Sequence, residues 1–356
     1  MIIAGGGVIG LSLAWELRKR GVAVLVVERG ELGGEASSAA GGMLAWCDPH
    51  LPSAAQGLAS LSARCYAEFV REIEEASEVE VDLRKFGTIV VDEEAPAAFA
   101  SDCWMLSGGE LAEMEPGLKA VSANVQWWPE WSVDPRRLMA CLIAACRARG
   151  VEIVTRVTVT DISLANGRAV GVRTTRDELA AQAVVNCAGA WAGQIECGVE
   201  PSPSPTRPFK GQMLALEAGG VLRHVVRSPE VYLIPRSDGT VVVGATVEEA
   251  GFNKETQPAT IERLRLAAVG LVPQLAAARV REVWAGLRPG SPDGLPILGE
   301  TSLPGYFVAG GHFRDGIMLA PGTARVMAGI LSAERVDADF EVLSPKRFAV
   351  GTAVAR

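Results

Sequence analysis

The chain has 356 residues, 49% hydrophobic and 21% charged, which is enough apolar material for a sizeable core and excludes a disordered or fibrous protein. Its net charge is −8, from 42 acids against 34 bases, and no basic run exceeds three residues, so a nucleic-acid surface or a polybasic membrane patch is not expected. No apolar stretch reaches the roughly 18–20 residues that span a bilayer, and the length suits one large domain or two modest ones.

Residues Met1 to Trp15 resemble a signal-peptide core in hydrophobicity only. They carry three consecutive glycines and no charged leader, and they run into Glu16-Leu17-Arg18-Lys19-Arg20. Strand, turn and helix are expected there, in a cytoplasmic protein. The seven cysteines form no CxxC pair, and Cys141, Cys146 and Cys187 sit among apolar neighbours, as reduced buried thiols do. The three histidines, His50, His224 and His312, have no metal-ligand neighbours at helical spacing, which argues against a zinc site or a Ser-His-Asp hydrolase.

In chain order, Met1–Ala4 reads as a strand, Gly5 to Gly10 as a turn, and the following residues as a helix to about Arg20, closed by Gly21. Val22–Val27 is a continuous β-rich run ending in Glu28, as expected of a strand covered on both faces. Gly87–Asp92 is strand-like, and the aromatic stretch Trp127-Trp128-Pro129-Glu130-Trp131 follows. Asp134-Pro135 is an N-cap and first-turn proline for a helix whose Leu138, Cys141, Leu142 and Ala145 share one face and which Gly150 ends. Val151–Val159 is expected to be a strand, Asn166-Gly167 a hairpin turn, and Ala183–Asn186 a strand entering Cys187-Ala188-Gly189-Ala190. Tyr232–Pro235, Thr240–Ala245 and Tyr306–Ala309 are further strands, the last leading into Gly310-Gly311-His312. No internal repeat is present. The pattern is that of a nucleotide-binding domain interrupted twice by pieces of a β-rich one.

Gly5, Gly7 and Gly10 form GxGxxG directly after a strand and at the start of a helix. There the first glycine allows the tight turn, the second admits a pyrophosphate to the backbone and the third lets helix and strand pack. Glu28 ends the second strand, where a carboxylate accepts hydrogen bonds from a ribose diol. Residues 33–43, Gly33-Gly34-Glu35-Ala36-Ser37-Ser38-Ala39-Ala40-Gly41-Gly42-Met43, contain one large polar side chain. So many small residues suit backbone lying against an extended ligand, which favours FAD over NAD.

These residues, with Cys187-Ala188-Gly189-Ala190-Trp191, resemble the FAD-dependent amino-acid oxidase superfamily. Trp284-Ala285-Gly286-Leu287-Arg288-Pro289 and Gly311-His312-Phe313-Arg314-Asp315-Gly316-Ile317-Met318-Leu319-Ala320-Pro321 are similar to the glycine oxidases of thiamine biosynthesis. So are Val231–Arg236 and Val243-Gly244-Ala245-Thr246. The similarity extends from residue 1 to about residue 349.

The resemblance implies an α/β fold: a Rossmann-type FAD-binding domain (1–80, 134–205 and 286–356) interleaved with a β-rich substrate domain of antiparallel sheet plus helices (81–133 and 206–285). It implies that Arg288 clamps the substrate carboxylate, that Tyr232 closes over the substrate, and that Arg314 is a second arginine near it. Val8, Ile9, Glu28, Arg29, Ala36, Ser37, Gly41, Gly42, Met43, Val159 and Gly189 match positions lining FAD, and His312, Phe313, Arg314, Asp315, Gly316, Ile317 and Met318 match the turn that contacts the flavin. Relatives of this kind are commonly homo-oligomers. Asp315 stands where the family usually has asparagine, adding a negative charge beside Arg314. Val247 stands where relatives can carry methionine, and Trp46-Cys47-Asp48-Pro49-His50, near the expected pocket mouth, has no counterpart.

A buried Arg288 needs an anionic partner, and a guanidinium matches a carboxylate bidentately. Held at that end, a small amino acid would present its Cα–H to flavin N5 for hydride transfer, with no nucleophile or metal required. A helix starting after Gly316 would favour the anionic reduced ring through its N-terminus. Related sarcosine oxidases attach flavin through a cysteine in the C-terminal third, whereas the last cysteine here is Cys197, so FAD is expected to be non-covalent. The expected reaction is oxidation of glycine, sarcosine or a small D-amino acid to an imino acid, hydrolysed to an oxo acid and amine, with oxygen reduced to hydrogen peroxide. Three alternatives remain at this stage: a D-amino-acid dehydrogenase using a quinone or carrier, an oxidase of an N-substituted amino acid with the pocket enlarged at Val247 and around Trp46, and a non-catalytic flavin-binding subunit.

Overall fold

Short apolar runs next to glycine turns build the first layer of the computed structural model, which describes residues 1–93, 103–119, 124–199, 201–334 and 338–349. The expected domain segments 81–133, 134–205 and 286–356 lie partly outside the described residues. Strand Ile2–Ala4 pairs in parallel with Leu25–Val27 on one side and Val184–Asn186 on the other. The sheet extends through Glu152–Val154 at one edge, and through Tyr306–Gly310 and the antiparallel Ile297–Glu300 at the other. Residue alternation assigns the two faces. Ile3, Val26 and Val185 pack beneath helices Val8–Lys19, Gln56–Ser77, Pro135–Ala148 and Gly316–Leu331. Ile2, Ala4, Val27, Val184 and Val308 pack against a three-stranded antiparallel sheet, Val159–Ala165, Arg168–Thr174 and Glu178–Ala180.

The Asn166-Gly167 turn is as expected, with both residues at positive φ (50° and 71°) between the paired Ala165 and Arg168. The Asp134 carboxylate caps its helix by accepting from the Arg136 and Arg137 amides at 2.8 and 3.3 Å. Two strands are shorter than expected. The Val22 amide returns to the Leu17 carbonyl, closing the preceding helix, so pairing begins only at Leu25. The Val151–Val159 run is broken at Arg156 (φ 59°), where the Arg156 and Val157 amides bond the carbonyls of Gly30 and Glu28. The chain thereby leaves one sheet and enters the next.

A second, eight-stranded sheet carries its strands in the order Arg279–Gly290, Arg207–Glu217, Thr240–Gly244, Tyr232–Pro235, Val225–Arg227, Thr88–Val91, Val125–Trp128, Trp104–Met105. All neighbours run antiparallel except Val225–Arg227 with Thr88–Val91. On one face Val226, Leu233, Val241 and Val243 bury against Leu264 and Ala268 of helix Pro258–Leu271. The opposite face presents Val225, Met213, Ile234, Val242 and Tyr232.

Helix Gly316–Leu331 contains Pro321, which has no N–H to give the Ile317 carbonyl. The Tyr66 hydroxyl takes that place, donating at 3.2 Å. One residue on, the Ser62 hydroxyl donates to the Met318 carbonyl and accepts the Gly322 amide, at 2.6 and 3.1 Å. The first turn of the helix is thus held from outside by helix Gln56–Ser77.

Candidate active site

A continuous cavity of about 1160 Å³ runs between the two large sheets, above the roughly 300–1,000 Å³ of ordinary small-ligand pockets. Gly5, Gly7, Val8 and Ile9 line it at the opening turn and helix, and Glu28 and Arg29 at the end of the second strand. Ala36, Ser37, Gly41, Gly42 and Met43 belong to the small-residue segment, while Val159 and Gly189 lie nearby. Tyr232, Arg288 and the run His312, Phe313, Arg314, Asp315, Gly316 and Ile317 complete the expected set. Two expected residues lie off the wall. Gly10 is buried behind it, where a Cβ would sit 2.1 Å from the Gly5 carbonyl oxygen, so it serves helix–strand packing. Met318 is 1% exposed in the core, its carbonyl engaged by Ser62.

At the opening turn Gly5 adopts φ 111°, and a side chain there would strike the Cys187 carbonyl. Glu28 is held by two backbone amides, each oxygen accepting one at 2.7 Å, from Gly6 and Gly30. Its expected ribose contacts would therefore use the remaining lone pairs. The small-residue segment is pinned along its length. Ser37 Oγ accepts the Val8 amide (2.9 Å), the Ala39 carbonyl accepts Trp284 Nε1 (3.0 Å), and the Gly42 carbonyl accepts the Val133 amide (2.8 Å). Buried Arg236 donates to the carbonyls of Gly41 and Val133, a positioning role that its place in the Val231–Arg236 segment did not disclose. Arg29 stacks its guanidinium 3.8 Å from the Trp191 ring centroid, and both line the cavity.

Strand alternation delivers the polar residues of the far end. Tyr232 projects from the cavity face of its strand, directly opposite Gly244 in the ladder, and a Cβ at Gly244 would lie 2.7 Å from the phenol oxygen. Arg288 stands opposite Phe209 in its ladder and reaches along the sheet to lie over Gly211, where a Cβ would strike its guanidinium. Its Nη1 donates to the Thr246 carbonyl at 2.9 Å, and no ion pair engages Arg288 among the described residues. Burial pushes the Tyr232 phenol up, against the opposing pull of Arg288, Arg236 and Arg314, so it stays a neutral hydroxyl.

His312 is 3% exposed, and burial pushes its imidazole down to about 3, so it is neutral. Its Nε2 lies 2.9 Å from Thr323 Oγ1, while Nδ1 is buried without a hydrogen-bond partner among the described residues. Burial raises the Asp315 carboxyl to about 6, with Arg314 opposing.

The partner of Arg314 is Asp48, at 3.3 Å, from the unmatched Trp46–His50 segment. Trp46 itself does not line the cavity but packs edge-on against Trp131, centroids 5.3 Å apart. Asp48, Pro49 and His50 do line it, as does Val247. Arg227 and Glu93 are further wall residues that sequence reasoning missed. Recognising the hairpin that pairs Arg227 with Tyr232 would have found the arginine.

A model of the family "FAD dependent oxidoreductase" (DAO) matches residues 1–330. The bifunctional protein ThiO/ThiG of Nostoc sp. is 32% identical over 95% of this chain and 53% of its own length, so the chain spans about half of that relative. The glycine oxidase of Pseudomonas putida is 33% identical over 93% of this chain and 94% of its own. The crystal structure of glycine oxidase from Geobacillus kaustophilus superposes with a TM-score of 0.89 at 31% identity, covering 97% of this chain and 98% of that one.

Proposed function

The chain belongs to the family of FAD-dependent oxidoreductases, and from that premise we propose that it oxidises the amine of a small amino acid: glycine, sarcosine or a small D-amino acid. The observation that carries the proposal is Arg288, a fixed guanidinium on the cavity wall beside Tyr232 with no carboxylate paired to it among the described residues. A substrate carboxylate supplies that missing charge in bidentate geometry.

The residues present fit FAD. The opening helix, Val8–Lys19, gets no side-chain cap from its N-cap residue Gly7, and beyond the Val8 amide, which Ser37 takes, its N-terminus faces the cavity where a phosphate would sit; His312 Nδ1 is an orphaned buried polar atom among the described residues, in a residue of the wall. Gly5, Gly7, Val8 and Ile9 would hold the pyrophosphate, Glu28 the ribose, and residues 312–317 the ring system. When bound, FAD supplies the hydride acceptor and the route for electrons to oxygen.

The chain's own part is positioning. Arg288 binds the carboxylate, and Tyr232, kept neutral, closes the wall beside it. The neutral His312 is too weakly basic to take a proton. A substrate that enters with its amine already deprotonated needs no protein base, and kcat/KM then rises with pH until that amine is fully neutral. Small D-amino acids and N-methyl groups are accommodated toward Val247, which is 61% exposed. The imine released would serve the thiazole-forming branch of thiamine synthesis that the resemblance implies.

The test is an anaerobic titration of the yellow protein with glycine and with sarcosine, followed by air. Bleaching of the visible flavin band with recovery and peroxide supports the oxidase. Bleaching without rapid recovery indicates a dehydrogenase, and absence of bleaching by both amines refutes the small-substrate reading.

A further inference from the structure

Asp48 brings a carboxylate to the end of the cavity that holds Tyr232 and Arg288. Its Oδ2 lies 3.3 Å from Arg314 Nη2 and 3.5 Å from Arg227 Nη2, and Oδ1 accepts the His50 amide at 2.9 Å and faces His50 Nδ1 at 3.0 Å. The two arginines come from different walls. Arg227 ends the strand beside Tyr232, directly opposite it in the ladder, and Arg314 lies in the turn before helix Gly316–Leu331. A loop carboxylate therefore ties the sheet to the turn. Burial opposes ionisation of Asp48, but Arg227, Arg314 and the His50 contacts outweigh it and hold the carboxyl below its ordinary value.

The arginines at this end differ in the acids that face them, and Asp315 lies beside Arg314 as a further acid of the wall. Arg227 also meets Glu93 Oε2 at 3.1 Å and has Glu130 Oε2 3.8 Å from Nη1. Arg314 has Asp48 as its ion-pair partner among the described residues. Arg288 has no such partner. Arg227, Arg288 and Arg314 all line the cavity here, and of the three Arg288 alone lacks an ion-pair partner among the described residues.

We propose that Asp48 determines substrate specificity: by engaging Arg227 and Arg314 it leaves Arg288 as the sole anion-binding position, so the site accepts an amine bearing one carboxylate and rejects one bearing two. The proposal rests on the reading of Arg288 given above. Removing the Asp48 charge releases chiefly Arg314, which is 43% exposed, whereas Arg227 keeps Glu93 and Glu130. A second carboxylate on the ligand then finds a free guanidinium fork.

The experiment uses two inert probes, acetate and malonate, titrated into flavin-loaded wild type and Asp48→Asn while the visible flavin band reports binding. The expected result is that the affinity of malonate relative to acetate rises at least tenfold in Asp48→Asn. An unchanged ratio overturns the proposal. Arg314→Gln gives the opposite test and decides the matter if Asp48→Asn fails to retain flavin. It removes a cation and leaves Asp48 under-neutralised, so the ratio should fall below that of wild type; a ratio equal to wild type overturns the proposal. Arg288→Met separates the two readings. Weaker acetate binding in that variant upholds Arg288 whatever Asp48 does, whereas unaltered acetate binding removes the Arg288 reading and the Asp48 proposal with it.

Discussion

Replacing Arg288 by methionine keeps an unbranched, flexible stem, shorter than the original, but removes a guanidinium that already gives one N–H to the Thr246 carbonyl. Of the five donors an arginine carries, the fork left toward the cavity can make two charge-assisted bonds to a carboxylate. Each contributes about 1.5–3 kcal/mol, so the pair contributes about 3–6 kcal/mol, equivalent to a loss of about 10²- to 10⁴-fold in kcat/KM. Arg288→Lys keeps the charge but has no fork, and should fall about midway on the logarithmic scale. The assay is the anaerobic rate of flavin bleaching at varied substrate, with flavin content measured first to show that the cofactor site is intact. A loss under tenfold in the methionine variant with full flavin content would refute the assignment, because among the described residues the other arginines of the wall, Arg29, Arg227 and Arg314, are each paired with a carboxylate.

Gly244→Ala places a Cβ 2.7 Å from the Tyr232 hydroxyl and 2.8 Å from ring carbons, so the ring must tilt off its rotamer at about 1 kcal/mol. KM should rise several-fold with flavin content unchanged; flavin loss without a KM change would contradict this placement. Glu130 is 0% exposed, and burial raises its carboxyl to about 7 despite Arg227, Thr88 and the Cys47 amide. Because the folded value exceeds the unfolded one near 4.5, the folded state keeps an extra proton between those values. Stability should therefore fall by roughly 3 kcal/mol as pH rises through that window. Glu130→Gln should lack this slope in urea-unfolding midpoints between pH 5 and pH 8, and parallel curves for the two proteins would refute it. Acid precipitation should leave flavin in the supernatant, since burial raises the thiol of Cys187, the cavity-lining cysteine, far above the thiolate range; flavin in the pellet would show a covalent link.

The nucleotide half of the site was legible in the amino-acid order because its physics is local. Gly5 needs a positive φ, Gly10 abuts a backbone oxygen, and Glu28 follows its strand by a fixed spacing, so a contiguous motif records all three. The Asn166-Gly167 hairpin and the Asp134 cap were readable for the same reason. Strand ends were not: residues 22–24 and 155–158 have strand-like composition, but the amides of Val22, Arg156 and Val157 are claimed by the carbonyls of Leu17, Gly30 and Glu28, partners that only the packed chain brings near. The substrate end depended on tertiary structure in the same way. Met318 matches a flavin-side position, yet Pro321 hands its helix turn to Ser62 and Tyr66 and leaves it in the core. Trp46 turned toward Trp131, and Asp48, two residues on, became the partner of Arg314 and Arg227. A charge cluster of residues 48, 227 and 314 leaves no periodicity or spacing in the chain. It exists because a loop, a sheet strand and a helix-capping turn converge on one buried carboxylate, and that convergence is a property of the fold alone.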